Sequence, residues 1–233
     1  MPPTDRDAGP VDLVERLATL VSRLVDAHGR VLVAVDGPDA AGKTTLADQI
    51  AAACSVPAVR ASVDGFHRPR SMRYGRGELS AEGYYRDAFD HTALIAECLL
   101  PFRDGHDVVT TATFDLSADQ AGVRTSGAVP ARAVLVVDGV FLLREELRDL
   151  WTLSVHLRVS PRVTLRRAVR RDLDRFGSVV EVERRYLTRY LPAQSLYQAE
   201  GDPESVAHVV VDNEDPDEPV VERWDPGPPI GDR

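Results

Sequence analysis

Residues 37–44 read Gly37-Pro38-Asp39-Ala40-Ala41-Gly42-Lys43-Thr44 and match the pattern G-x-x-x-x-G-K-[ST]. The apolar run over 31–35 before this stretch predicts a buried strand, and residues 44–53 after it predict a helix. In that context the glycines let backbone N–H groups surround an anion, the lysine reaches the β- and γ-phosphates of ATP, and the threonine hydroxyl binds Mg²⁺. The sequence therefore predicts an ATP-binding phosphate loop, the P-loop, formed by Gly37, Asp39, Ala40, Ala41, Gly42, Lys43, Thr44 and Thr45.

Lys43 is the only lysine among the 28 basic residues of the chain. The excess of arginine is typical of a genome bias and carries no functional information by itself. A compact ammonium on a thin stem fits along a phosphate loop, whereas a planar guanidinium does not. The position of the single lysine therefore supports the P-loop prediction.

The chain has 233 residues and 43% hydrophobic content, which predicts a single α/β domain over residues 1–212. An amphipathic helix is predicted over residues 11–28, and strand-like and helical segments alternate after it. This alternation predicts the P-loop NTPase fold, a mostly parallel sheet flanked by helices. Residues 68–86 predict a loop, and the acidic, Pro-rich residues 213–233 predict a solvated tail.

Composition excludes several classes of partner. No run approaches the roughly 18 apolar residues of a membrane span, and the first residues lack the order of a signal peptide. We therefore predict a soluble, cytoplasmic protein without a membrane partner. More than half of the net charge of −9 lies in residues 213–233, so a nucleic-acid partner is disfavoured because the chain is acidic and no aromatic-interleaved basic surface accompanies its arginine cluster. The spacing of the two cysteines fits no metal or redox site, and the sequence leaves the oligomeric state open, a homo-oligomer included.

Two aspartates end predicted strands near the P-loop. Asp138 closes the apolar strand over 133–138, and Asp64 follows the strand predicted over 57–63. In a parallel sheet the carboxyl ends of neighbouring strands face one crevice, so both carboxylates are expected near the γ-phosphate. Asp138 is predicted to hold Mg²⁺ through water, and Asp64 to act as general base on an acceptor hydroxyl. The alternative for either is an aspartate that caps a turn, and Asp36 is assigned to local turn bonding.

An arginine-rich helix is predicted from Pro161 to about residue 175, and residues of about 166–177 are predicted to form a lid. Arg167, Arg171 and Arg175 would close over the nucleotide and neutralise charge on the transferred phosphoryl group. The alternatives are an ordinary solvated helix face and, less favoured, a nucleic-acid patch.

Several motifs together resemble the uridine kinase-like branch of the P-loop kinases, which is related to phosphoribulokinase and bacterial pantothenate kinase. Besides the P-loop and the arginine-rich helix, they are Asp64-Gly65-Phe66-His67, Tyr84-Tyr85-Arg86-Asp87-Ala88-Phe89-Asp90, Phe114-Asp115 and Val136-Val137-Asp138-Gly139-Val140. The resemblance covers roughly residues 30–213. It implies ATP binding by Lys43 and Thr44, catalytic base function for Asp64, Mg²⁺ binding at Asp138 and phosphate contact by the lid residue Arg171.

The chain departs from that branch where the acceptor is expected to bind. His67 stands where uridine-cytidine kinases have Tyr, Tyr84 replaces an Asp that grips the ribose, and Phe114 and Asp119 replace the Tyr and His beside the pyrimidine. The predicted acceptor contacts are Asp64, His67, Tyr84, Arg86, Phe114 and Asp119. His67 has the alternative of a local hydrogen-bonding role, and Tyr84 that of a packing residue.

The leading hypothesis is an ATP- and Mg²⁺-dependent kinase for a primary alcohol of a small molecule, with uridine or cytidine as the first acceptor to test. An alternative keeps the chemistry with a pantothenate-like or sugar-like alcohol. An alternative of another class is a P-loop NTPase switch or regulatory module, for which the sequence offers no water-orienting residue.

Overall fold

A computed structural model describes residues 12–227 of the chain. Its strands are β1 Arg30–Asp36, β2 Ala58–Ser62, β3 Thr110–Asp115, β4 Gln120–Thr125, β5 Ala133–Gly139, β6 Leu153–Arg158, β7 Val209–Asp212 and β8 Val220–Trp224. Six of them form one sheet in the order β2-β5-β1-β6-β7-β8, and β3 pairs with β4 in a separate hairpin. All pairings in the main sheet are parallel except that of β8 with β7.

Helices connect most of the strands. They are α1 Leu13–His28, α2 Lys43–Ala53, α3 Arg70–Arg73, α4 Ala81–Asp87, α5 His91–Ala93, α6 Leu100–Arg103, α7 Glu145–Arg148, α8 Pro161–Phe176, α9 Val179–Arg185, α10 Leu191–Gly201 and α11 Pro203–Val206. Val63–Phe66 forms a 3₁₀ turn, and the π-helical segments Leu94–Leu99 and Tyr186–Tyr190 join α5 to α6 and α9 to α10. None of the helices in residues 12–227 is long and apolar enough to cross a membrane.

Helices cover both faces of the main sheet, which explains why its central strands are continuous apolar runs. β5 is buried at every residue. On one face α1 and α2 contribute Leu17, Val21 and Ile50 to the core. On the other face the helical residues 91–103 and α10 contribute Leu94 and Tyr197. The predicted α/β fold with a mostly parallel sheet is confirmed.

The P-loop lies between β1 and α2, at the centre of the sheet, where the strand order reverses. Gly37 is required there because a Cβ atom would lie 2.6 Å from the carbonyl oxygen of Leu157. Gly42 takes a left-handed conformation, with φ of 94°, immediately before α2. The loop therefore opens at the carboxyl ends of the strands, where ligands bind in open α/β sheets.

Several predicted boundaries are wrong. Residues 68–86 were expected to form a loop, but they contain α3 and most of α4, whose first turn is capped by the Ser80 hydroxyl. α9, the π-helical segment and α10 form one continuous helical stretch from Val179 to Gly201. β4 was not predicted, since its pattern is mostly exposed and polar.

The solvated tail predicted for residues 213–233 is also wrong for the part that the structure describes. Val220–Trp224 forms β8 on the edge of the main sheet. The guanidinium of Arg16 on α1 lies 3.8 Å from the ring centroid of Trp224, and this contact ties the strand to α1. The prediction for residues 228–233 lies outside the described residues.

We predict that Gly139→Ala destabilises the fold by about 1–3 kcal/mol through overpacking. A Cβ atom at this position would lie 2.4 Å from Cγ1 and 2.7 Å from Cβ of Val63, in the 3₁₀ turn that follows β2. The free energy of unfolding in urea measures the effect. Gly127→Ala is the matched control, because its Cβ would meet nothing within 4 Å; equal stability of the two variants would contradict the prediction.

Candidate active site

The P-loop brings a buried lysine to the start of α2. Lys43 Nζ donates a hydrogen bond of 2.7 Å to the carbonyl oxygen of Pro38, and the backbone N–H of Ala41 donates to the same oxygen. Burial lowers the pKa of Lys43, although the surrounding aspartates, Asp39 foremost, act in the opposite direction. The lysine is therefore held across the loop, ready to contact an anion bound by the backbone N–H groups.

Thr44 and Asp138 meet beside the loop, as the motifs predict. The Thr44 hydroxyl donates to Asp138 Oδ2 over 2.7 Å, and Asp138 is buried at the end of β5. The other carboxylate oxygen, Oδ1, pairs with the guanidinium of Arg60 at 2.7 Å. Arg60 lies on β2 beside β5, where it also donates to the carbonyl oxygen of Val136.

The sequence did not predict a role for Arg60, because no motif in its own strand marks this residue. The only available signal was a single charged residue in an otherwise uncharged strand. Its pairing with Asp138 supplies a positive charge that offsets the carboxylate before any metal binds.

Asp64 shares a cleft with these residues. It lies in the 3₁₀ turn after β2, and its side chain is 69% exposed. The cleft has a volume of about 200 Å³ and is lined by Lys43, Thr44, Asp64 and Asp138 together. Since β2 is hydrogen-bonded to β5, with Ser62 opposite Asp138, the two carboxylates follow neighbouring strand ends.

His67 and Tyr84 line the same cleft. His67 packs on Phe89 with ring centroids 4.5 Å apart, and its Nδ1 lies 3.1 Å from the carbonyl oxygen of Asp64. Burial lowers the pKa of His67, against the attraction of Asp64. His67 therefore has both the local contact and the cleft position that the sequence left as alternatives.

Tyr84 connects the cleft to the P-loop. Its hydroxyl donates to Asp39 Oδ1 over 3.1 Å, and burial raises its pKa well above the ordinary value. The other oxygen, Asp39 Oδ2, is buried and has no hydrogen-bond partner among the described residues. A buried carboxylate oxygen without a partner is rare, and this one belongs to a residue that lines the cleft.

Two predicted acceptor contacts lie elsewhere. Arg86 forms ion pairs with Glu82 and Glu200 and does not line the cleft. Asp119 pairs with Arg73 at 2.8 Å and accepts from the backbone N–H of Arg70, so it fastens the β3–β4 turn to α3. Ion pairs with Glu82 and Glu200 use the charge of Arg86, and turn anchoring uses that of Asp119, so acceptor contact by these two residues stays a prediction.

Phe114 contributes to a neighbouring cavity of about 500 Å³ on the hairpin side of Asp64, rather than to the cleft itself. Residues that sequence reasoning missed complete the cleft wall: Leu116, Asp172, Tyr186 and Tyr190. Tyr186 and Tyr190 lie in the π-helical segment, one turn apart, and no motif marks them.

The arginine-rich helix is α8, which packs against α9 around a small core of its own. Arg171 forms a bidentate pair with Asp172 and also donates to the Tyr186 hydroxyl over 2.9 Å. Arg167 donates to the carbonyl oxygens of Asn213 and Glu214 and lies beside the P-loop. The arginines are thus close to the phosphate site, and closure as a lid stays a prediction.

Asp36 has a larger role than the local turn bonding expected of it. It is fully buried, and its carboxylate accepts from Leu142 N, His156 Nδ1 and the Tyr197 hydroxyl at 2.9, 2.7 and 3.0 Å. All three partners are more than 100 residues away in sequence. That prediction is wrong because the partners come from other elements of the fold.

The donor set at Thr44 and Asp138 fits Mg²⁺. A hydroxyl and a carboxylate oxygen meet at hydrogen-bond distance, and Mg²⁺ takes oxygen ligands while keeping several waters and substrate phosphates. No group of three or more His, Cys, Asp or Glu side chains suited to a metal occurs within residues 12–227. A metal here would therefore depend on water and phosphate oxygens for most of its ligands.

No profile of a known protein family matches the chain. One curated relative, the inorganic pyrophosphatase TTM2 of Arabidopsis thaliana, is 29% identical over 170 residues, which are 72% of this chain and 23% of the relative. The chain thus spans less than a quarter of that relative's length.

Several solved structures of proteins described as kinases are similar to this chain in fold. A protein described as a possible uridine kinase from Bacillus stearothermophilus has a TM-score of 0.65 at 22% identity, with 84% of this chain and 98% of that chain covered. A protein described as a fructose transport system kinase from Silicibacter sp. TM1040 has a TM-score of 0.65 at 26% identity, covering 79% and 95%. D-glycerate 3-kinase from Cryptococcus neoformans has a TM-score of 0.63 at 14% identity, covering 92% and 100%. The similarities confirm the P-loop kinase fold.

The lowered pKa of His67 predicts a pH-dependent stability. The unfolded chain takes up the proton near the ordinary pKa of 6.5, whereas the folded chain does so only at lower pH, so stability falls as pH decreases below about 6.5. The His67→Gln variant should lose less unfolding free energy between pH 7.5 and 5.5 than the unaltered protein does. Urea unfolding at both pH values measures it, with the exposed His106→Gln as control. The same loss in all three proteins would refute the burial argument.

Proposed function

We propose that this chain, which has the fold of the uridine kinase-like P-loop kinases, transfers the γ-phosphate of ATP to a primary hydroxyl of a small molecule. The observation that carries the proposal is the single cleft lined by Lys43, Thr44, Asp64 and Asp138. A phosphate loop alone is compatible with many functions. An exposed carboxylate in the same cleft adds the group that an alcohol acceptor requires.

The P-loop backbone and Lys43 would hold the phosphates of ATP, and Thr44 with Asp138 would hold Mg²⁺ directly or through water. Bound Mg²⁺ would offset the charge of the phosphate oxygens. Arg171 lines both the cleft and the cavity beside the P-loop, so its guanidinium is placed to add positive charge at the phosphate site.

Asp64 is the proposed general base. The acceptor oxygen forms a bond to the γ-phosphorus, the bond from that phosphorus to the bridging oxygen of ADP breaks, and the hydroxyl proton passes to the Asp64 carboxylate. The fold contributes mainly position, because both reactants would meet between two fixed strand ends. Asp64 suits this role since it is exposed, whereas Asp138 is buried and already bound to Thr44 and Arg60.

The acceptor wall supports a nucleoside such as uridine or cytidine as the first substrate to test. Tyr84, Tyr186 and Tyr190 place aromatic rings around the cleft, which suits a planar base. Asp39 Oδ2 offers a buried acceptor atom to a sugar hydroxyl. Uridine-cytidine kinases grip the ribose with an Asp at the position that Tyr84 occupies here. The carboxylate of Asp39 would take over that contact.

A sugar or pantothenate-like alcohol is the second candidate. It is favoured by the 26% identity with the protein described as a fructose transport system kinase, and by the mainly polar residues of a small cleft. A hydroxyl-rich acceptor could use Asp39, Asp64 and His67 without a ring on the tyrosines.

We predict that Asp64→Asn lowers acceptor-dependent turnover at least about 100-fold, because it removes the base. ATP affinity should change by less than about twofold, since Asp64 contributes no backbone to the phosphate loop. ADP release over a panel of uridine, cytidine, pantothenate and fructose measures turnover, and calorimetry measures ATP binding. Asp149→Asn, at a side chain that is 91% exposed, is the matched control.

Two results would contradict this mechanism. Full turnover in the Asp64→Asn variant would remove Asp64 from the reaction. ADP release that no acceptor in the panel accelerates would favour the NTPase switch instead.

A second prediction distinguishes an effect on acceptor binding from an effect on nucleotide binding. Asp39→Asn should raise the KM for the acceptor by about tenfold or more, the loss expected when a hydrogen bond to a charged group is weakened. The KM for ATP should rise less, because the N–H groups of the loop are kept. Tyr84→Phe, which removes only the hydroxyl donor to Asp39, should have a smaller effect. An effect of Asp39→Asn confined to the KM for ATP would show that Asp39 does not contact the acceptor.

A further inference from the structure

A second cavity lies between β6, the first turn of α8 and most of the length of α10, and Pro38 of the P-loop also lines it. Its volume is about 810 Å³, within the range of small-molecule sites. It shares no lining residue with the cleft that contains Asp64. We refer to it as the α8–α10 cavity.

Four residues that line the α8–α10 cavity each have a buried polar atom without a hydrogen-bond partner among the described residues. The atoms are His156 Nε2, Arg158 Nε, Thr164 Oγ1 and Gln194 Nε2. His156 and Thr164 are each only 1% exposed. Buried polar atoms in folded proteins nearly always have a partner, so four together indicate a place where a bound molecule completes the hydrogen bonds.

These atoms specify a ligand with both donors and acceptors. The Nε–H of Arg158 and the amide NH₂ of Gln194 donate, and the Thr164 hydroxyl does either. His156 Nδ1 lies 2.7 Å from Asp36 Oδ2, and a carboxylate accepts, so Nδ1 carries a proton, and in the tautomer with that single proton Nε2 accepts. Val159 and Leu191 add apolar walls. Alternating donors and acceptors on the edge of an apolar ring are the chemistry of a heterocyclic base.

The charges on the cavity wall disfavour a phosphate. Glu204, Asp212 and Glu214 contribute three carboxylates against the single guanidinium of Arg158. That guanidinium already pairs with Asp212 at 2.6 Å and with Glu222 at 2.5 Å. An uncharged ligand therefore fits, and a nucleotide would be repelled.

We propose that the α8–α10 cavity is a second binding site for an uncharged heterocyclic base or nucleoside, and that its occupancy changes ATP binding at the P-loop. The route is short. A ligand bound at His156 Nε2 acts on the ring that holds Asp36, and Asp36 immediately precedes Gly37. The cavity also touches Pro38, whose carbonyl oxygen accepts from Lys43 Nζ.

The test uses uridine, cytidine, adenosine and guanosine as probes, titrated calorimetrically into the full chain. At least one should bind with a Kd below 1 mM, and the binding should weaken at least tenfold in Gln194→Leu and in Thr164→Val, which nearly keep side-chain volume. Gln120→Leu, on the exposed strand β4, is the matched control and should bind as the unaltered protein does. His67→Gln tests for binding in the cleft with Asp64.

The proposal is overturned if no nucleoside binds, or if binding survives in both cavity variants and is lost in His67→Gln. Coupling is tested with a fluorescent ATP analogue, whose Kd should shift at least twofold at saturating nucleoside in the unaltered protein. The shift should be absent in Gln194→Leu. Because linkage is reciprocal, the analogue should shift the Kd of the nucleoside by the same factor. An unchanged Kd for the analogue while the cavity is filled would overturn the coupling.

Discussion

The buried carboxylate of Asp36 fixes the position at which the P-loop begins. It ends β1 and accepts hydrogen bonds from the loop after β5, from β6 and from α10, so it joins elements on both sides of the central strand. Leaving such a carboxylate without one partner would cost about 3–5 kcal/mol if the lost partner were charged, and less for a neutral donor. Because Gly37 follows directly, the position of every phosphate-binding N–H group depends on this junction. The same junction connects the loop to the α8–α10 cavity through His156.

The charges around the cleft explain why the proposed reaction depends on a metal. Asp39, Asp64, Asp138 and Asp172 line it, against Lys43, Arg171 and Arg175. Arg60 and Arg171 are already paired with Asp138 and Asp172. Little positive charge is therefore left for a triphosphate, and a divalent cation at Thr44 and Asp138 would supply it. In the proposed arrangement the acids would hold the metal and the acceptor, while the loop would hold the phosphates.

The sequence predicted the parts of this molecule that depend on local chemistry. The P-loop, the central strands and the two strand-end aspartates each follow from residue types at fixed spacing, and the structure brings Lys43, Thr44, Asp64 and Asp138 into one cleft. It did not predict partners that come from distant elements. Arg60 and the tyrosines of the π-helical segment acquire their roles only when β2 pairs with β5 and α9 packs on α8. β8 was hidden by its acidic and proline-rich surroundings, because an edge strand needs only one partner and few apolar residues.

The acceptor wall and the arginine-rich helix are parts of one mechanical unit. Arg171 binds Asp172 and the Tyr186 hydroxyl, and that hydroxyl donates to Asp172 in turn. One turn beyond, Arg189 donates to the carbonyl oxygens of Glu78 and Ser80, which lie just before α4, the helix that carries Tyr84. A rotation of α8 toward the phosphates would consequently move Tyr186 and pull on the wall that carries Tyr84. Acceptor binding and phosphate contact by Arg171 are therefore expected to occur together, which would keep water from the γ-phosphate until the alcohol is in place.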